Sequence, residues 1–151
     1  MISCPKESIC QHRSEEIFFS MYMLDTNICI YVIKERPRAA LEKFNEASNA
    51  GICISIVTYA ELQYGVERSS SRKLNQRIIN DFTSRLSILD WDAPAAKSYA
   101  KIRTQLEKKG TPIGNMDMLI AAHAQSRDMS LVTNNIKEFK RVRNLNCVNW
   151  V

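Results

Sequence analysis

No two cysteines stand in C-x-x-C spacing: Cys4, Cys10, Cys29, Cys53 and Cys147 are scattered and odd in number, which argues against a disulfide framework. No apolar run approaches the ~20 residues that a bilayer-spanning helix needs, and nothing near the start has a secretory hydrophobic segment of useful length. A reducing cytoplasm is the expected compartment. Histidine is scarce, with only His12 and His123. No acid is placed to orient the His123 imidazole, so a nucleophilic triad is not expected. Cys4, Cys10 and His12 have the wrong spacing for a zinc knuckle, and no fourth ligand lies nearby. There is no internal repeat, and the only low-complexity stretch is the serine run Ser69 to Ser71, which reads as a loop.

At 151 residues the chain fits one domain that buries roughly 68–70% of its unfolded surface, so no metal or disulfide staple is needed for stability. Lys plus Arg outnumber Asp plus Glu by 21 to 16, a mildly basic balance that attracts polyanions such as RNA or an acidic protein. The first twenty residues mix charge, Cys, Ser and Pro without a period of two or 3.6. Residues 1–20 are therefore read as an extension, disordered, not natively translated, or a docking arm. They carry a net −1, which leaves +6 on the rest of the chain.

From Met21 onward short apolar runs alternate with amphipathic stretches, the pattern of a parallel sheet with crossover helices. Strands are expected at Tyr22–Leu24, Ile52–Val57, Ser87–Trp91 and Ser130–Thr133, with an edge strand at Cys147–Trp150. Helices are expected at Ile28–Lys34, Pro37–Ser48, Tyr59–Arg68, Arg72–Arg85, Pro94–Lys109 and Met116–Arg127. Pro37 and Pro94 suit first-turn positions, and Gly51 and Gly110 suit helix stops.

Three carboxylates fall at equivalent places: Asp25 after the first strand, Glu61 in the first turn of the helix after the second, and Asp117 at the start of a late helix. Asn134, Asn135 and Glu138 follow the fourth strand. In an open parallel sheet the carboxyl ends of the strands share one edge, where ligands sit. Two carboxylates about 4 Å apart repel by roughly 4 kcal/mol at an effective dielectric near 20, so a positive partner is expected among them. Oxygen ligands without convergent Cys or His select Mg²⁺ or Mn²⁺. Each acid also has an ordinary structural explanation. Asp25 can cap the following helix, Glu61 can complete a capping box with Thr58, and Asp117 can complement a helix dipole.

The segments MLDTNICIY (Met23–Tyr31), SIVTYAELQYGVERS (Ser55–Ser69), PIGNMDMLIAAHA (Pro112–Ala124) and LVTNNIKEFKRV (Leu131–Val142) resemble, in order and spacing, the PIN-domain family. More closely they resemble the VapC toxins of type II toxin–antitoxin pairs. The resemblance covers about Met21 to Trp150. It implies a PIN-like α/β fold over residues 21–151, with a central parallel sheet of four to five strands flanked by helices. It further implies a dimeric endoribonuclease that uses one or two Mg²⁺ or Mn²⁺ ions and leaves 5′-phosphate and 3′-hydroxyl ends. Its expected substrate is RNA, with a tRNA anticodon loop, and initiator tRNA in particular, as the target by analogy. A cognate VapB-type antitoxin would hold it inactive, its C-terminal segment over the acidic site.

Asp25, Glu61 and Asp117 match the family's metal-binding acids. Its small polar residue near the first acid is matched by Thr26 or Asn27, and its fourth-strand Thr by Thr133. Where many relatives have a fourth Asp, this chain has Asn134 and Asn135, so either Glu138 or Asn135 is expected to reach the metal through water. Asn115–Met116 also departs from a common Pro–Phe. Among many basic residues Arg103 and Lys137 are the expected RNA contacts. The alternative function is a non-catalytic PIN-like module that binds RNA or antitoxin. A phosphatase would want a second Asp soon after Asp25, and Thr26 and Asn27 stand there instead.

Overall fold

The computed structural model describes residues 21–151; the leading twenty, with Cys4, Cys10 and His12, lie outside the described residues. Five short strands, β1 (Tyr22–Leu24), β2 (Ile52–Ser55), β3 (Ser87–Leu89), β4 (Ser130–Val132) and β5 (Cys147–Val148), form one sheet in the order β3-β2-β1-β4-β5. Every pairing is parallel, with Tyr22 opposite both Ile52 and Ser130. Among the described residues seven α-helices flank it: α1 (Thr26–Lys34), α2 (Arg38–Ala47), α3 (Ile56–Glu67), α4 (Arg72–Thr83), α5 (Ala93–Lys109), α6 (Asn115–Ser126) and α7 (Ile136–Phe139).

Alternate strand residues feed two cores, as the two-residue strand period requires when both faces are covered. Met23, Cys53 and Leu131 face the side of α5 and α6, packing with Ile102, Leu106 and Ile120. Leu24, Ile54 and Val132 face the side of α1 to α4, packing with Ile28, Leu62 and Phe82. The strand order reverses at β1 and β4, so the crevice at their carboxyl ends is the topological switch point of the sheet. Asp25 and Thr133 follow those two strands directly. Among the described residues no helix is long and apolar enough to cross a membrane.

The architecture matches the expected one, and the boundaries move for identifiable reasons. Helix α1 starts at Thr26 because the Asp25 side chain caps it, accepting from the Ile28 amide at 2.9 Å. Strand β2 ends at Ser55 rather than Val57, because Ser55 Oγ accepts from the Val57 amide at 3.1 Å and starts α3 there. The β-branched Ile56 and Val57 are therefore helical. This removes the expected capping box: Thr58 lies inside the helix, and Glu61 in its second turn. Pro37 is the N-cap of α2 rather than its first residue, and the edge strands β3 and β5 stop short of Trp91 and Trp150. The single-turn α7 has too few residues to show a helical period.

Leu24 is fully buried in the central strand. Leu24→Ala is expected to cost 2–5 kcal/mol in chemical denaturation; a loss below ~1 kcal/mol would contradict the packing described here.

Candidate active site

Asp25 enters the crevice from β1 with a backbone amide bound to the Val132 carbonyl at 3.0 Å. It is 5% exposed, and burial raises its carboxyl pKa. Hydrogen bonds from the Thr133 side chain and the Ile28 amide pull the pKa down, and the Glu61 charge pushes it up. Glu61 reaches the same place from α3, held by the Thr26 hydroxyl, which donates to Oε1 at 2.7 Å. The two segments are 35 residues apart in sequence and meet because β1 and β2 are neighbours in the sheet.

Asp117 is the third residue of α6. Its carboxyl is pushed up to about 6, first by burial and then by the charges of Glu138, Asp25 and Glu61. Among the described residues no cation offsets them. Glu138 comes from α7, fixed by the Gly114 amide, which donates to Oε1 at 3.2 Å, and by Asn135 Nδ2, which donates to Oε2. Asn135 is itself positioned by its amide, which donates to Thr133 Oγ1 at 2.9 Å. Gly114 stands against Asp117: an added Cβ would lie 3.4 Å from Oδ2.

Four carboxylates from β1, α3, α6 and α7 thus share one electrostatic neighbourhood. They are near enough to repel, yet among the described residues no three acids, histidines or cysteines stand close enough together to hold a metal ion between them. The donor set is all oxygen. The nearby Cys29 thiol is fully buried, and burial together with the Asp25 charge pushes its pKa well up, which keeps it protonated. Hard divalent cations such as Mg²⁺ or Mn²⁺ fit carboxylates of this kind.

The other expected residues divide. Asn27 is exposed on the first turn of α1. Asn134 turns away from the acids, its Nδ2 donating to the Tyr31 hydroxyl and its Oδ1 accepting from Asn149, each at 3.4 Å. Lys137 is exposed beside Glu138. Arg103 is already engaged on α5, with Nε on Glu107 Oε1 at 2.9 Å and Nη1 on the Tyr99 hydroxyl at 3.0 Å. Residue spacing does not single out Gly114, whose amide anchors Glu138, or Ser55, whose Oγ both caps α3 and lies 2.8 Å from Nδ1 of the buried His123. A glycine directly before a helix start was the available signal for the first. His123 has a structural place here, tying α6 to the start of α3.

A switch-point crevice lined by acids from four elements is the arrangement of a family of nucleases, and residues 22–145 match the PIN domain. The chain belongs to the PIN-domain family. It is 49% identical to ribonuclease VapC2 of Rickettsia felis over 131 residues, 86% of this chain and 98% of that protein. It is 46% identical over 129 residues to the tRNA(fMet)-specific endonuclease VapC of Shigella flexneri, 85% of this chain and 97% of that one. The crystal structure of VapBC2 from Rickettsia felis bound to a promoter DNA fragment matches with a TM-score of 0.83 and 46% identity, over 87% of this chain and 99% of that one. Within its family the protein is a VapC-type endoribonuclease toxin.

A carboxyl with a raised pKa contributes fully to stability below its ordinary 3.8 and loses that contribution as pH rises through about 6. The shift, ~3 kcal/mol if fully protected, falls to ~1 kcal/mol after solvent screening at this half-buried position. In chelator-treated protein, Asp117→Asn is expected to be ~1 kcal/mol more stable than wild type at pH 7.5 and equal to it near pH 4. Parallel stability–pH curves would disprove the repulsion.

Proposed function

We propose that Asp25, Glu61 and Asp117 hold one or two Mg²⁺ or Mn²⁺ ions, that Glu138 assists through water, and that the site hydrolyses tRNA phosphodiesters and so stops translation. The observation that carries this is the gathering of Asp25, Glu61, Asp117 and Glu138 from four elements at one sheet edge, where among the described residues no cation offsets the charges that raise the Asp117 carboxyl. A divalent ion bound there supplies Lewis acidity at the phosphodiester and a more acidic water.

The chain's own residues do the holding. The Ile28 amide donates to Asp25 Oδ1 and fixes its rotamer, and the Thr133 side chain bonds the same carboxylate. Thr26 orients Glu61, and Thr133 bonds Asp25 and sets Asn135, which with Gly114 aims Glu138. We assign Lys137, exposed one residue from Glu138, to a phosphate flanking the cut. Arg103 would first have to leave Glu107. Because attack by water needs no ribose 2′-hydroxyl, RNA preference comes from shape and single-strand access.

The Shigella flexneri relative's specificity for tRNA(fMet) supports initiator tRNA as substrate. The VapBC2 complex supports a VapB-type antitoxin as partner. A groove of about 600 Å³ between α1, α3 and α4, walled by Ile30, Ile33, Leu62 and Ile78, runs up to Thr26 and Glu61. An antitoxin segment seated there would cover the acids. Exposed Tyr64 and Leu74 on α3 and α4 offer an apolar seam for a homodimer.

Asn caps a helix about as well as Asp, so Asp25→Asn is expected to keep the fold and lose at least ~100-fold in cleavage, the scale of one electrostatic contributor. The assay is tRNA cleavage with Mn²⁺ and with EDTA, alongside a generic phosphate ester that should stay intact. Undiminished cutting by the variant, or by wild type in EDTA, would refute the assignment.

A further inference from the structure

We infer that the outer face of α5 is a docking track for the sugar–phosphate backbone of a structured RNA, formed by Lys101, Lys108, Lys109 and Arg143. The inference rests on the ribonuclease reading and supplies what the acidic site cannot. Carboxylates can accept a scissile phosphate only across a cation, and they repel every phosphate beside it. Affinity for a polyanion must then come from cations elsewhere.

Those four residues line one open groove of about 590 Å³, together with the polar Thr104 and Gln105. Among the described residues no carboxylate lines it. Among the described residues none of the four cations is in an ion pair, whereas Arg103 on the same helix is neutralised by Glu107. Lys101 and Lys109 lie about 12 Å apart along the helix at 1.5 Å per residue, enough to meet more than one phosphate. Lys108 and Lys109 on the last turn also complement the helix dipole, but Lys101 and Arg143 are not at a helix end and that explanation does not cover them.

The groove is also correctly placed. The last turn of α5 runs through residues 110–114 into the first turn of α6, which carries Asp117. Arg141 Nη1 donates to the Pro112 carbonyl of that connection at 3.0 Å. Gln125 Nε2 donates to the Arg143 carbonyl at 2.7 Å and fixes it relative to α6. A duplex stem lying along α5 would therefore lead its loop toward the acids. The apolar groove at Thr26 and Glu61 is a separate surface lined by α1, α3 and α4. An acidic protein segment is the lesser fit to the basic groove, because among the described residues Ala100 is its only apolar lining residue and ordering a segment requires apolar burial.

The test is RNA binding by the cleavage-silent Asp25→Asn protein, with and without the added changes Lys101→Gln, Lys108→Gln, Lys109→Gln and Arg143→Gln. Two probes are used, full-length tRNA and a short single-stranded oligonucleotide spanning the cut. Each phosphate contact contributes about 0.7–0.9 to the slope of log affinity against log salt. The added changes are expected to weaken tRNA binding at least tenfold and flatten its salt slope by about 3, while oligonucleotide binding stays within twofold. Replacing the three lysines by arginine should keep tRNA binding. Equal weakening of both probes, or of neither, overturns the track. So does lost copurification of an antitoxin with tRNA affinity intact, which would make the groove a protein site. If the Asp25→Asn parent binds neither RNA, the ribonuclease reading falls and the track with it.

Discussion

Mutual repulsion among carboxylates at the carboxyl edge of the sheet is the constraint around which this protein is organised. Strands β1 and β4 lie side by side in parallel with Leu24 opposite Val132, so the residues that follow them, Asp25 and Thr133, are neighbours by construction. Three of the four acids are tied by hydrogen bonds of their own: Asp25 by the Ile28 amide, Glu61 by Thr26, and Glu138 by Gly114 and Asn135. Among the described residues Asp117 has no such donor, and its carboxyl is the one pushed to about 6. Backbone geometry and small polar side chains hold three of the four charges in place.

Structural and functional explanations of a residue are not exclusive here. Asp25 is both a helix cap and a member of the acidic group, because accepting from the Ile28 amide leaves the carboxylate's charge in place. Glu61 goes the opposite way. Its expected capping role vanishes once Ser55 starts the helix, and its carboxylate is instead bound to Thr26 on another element. Asn134 and Asn135, adjacent in sequence, part company: one contacts Tyr31 and Asn149, the other orients Glu138.

The surface around the acids is divided by chemistry. An apolar groove reaches Thr26 and Glu61 from the α1, α3 and α4 side, and a basic one lies along α5 toward the loop before Asp117. These suit different occupants, since apolar burial favours a folding peptide segment and unpaired cations favour a phosphate backbone.

The alternation of apolar runs with amphipathic stretches was sufficient to determine the parallel sheet, its flanking helices and the edge where the acids would gather, because burial on both faces of a sheet dictates that pattern locally. Asp25 and Asp117 were readable for a related reason, one directly after a strand and the other in the first turn of a helix, whereas Glu61 lies a turn deeper in its helix than the spacing suggested. What only the tertiary structure decided was the partner of each polar group. Asn135 and the Gly114 amide hold Glu138, Ser55 displaces Thr58 as a cap, and Arg103 is taken up by Glu107. Those outcomes depend on distances between segments far apart in the chain. A hydrogen bond or an ion pair is settled within a few tenths of an ångström, a scale that no residue spacing encodes.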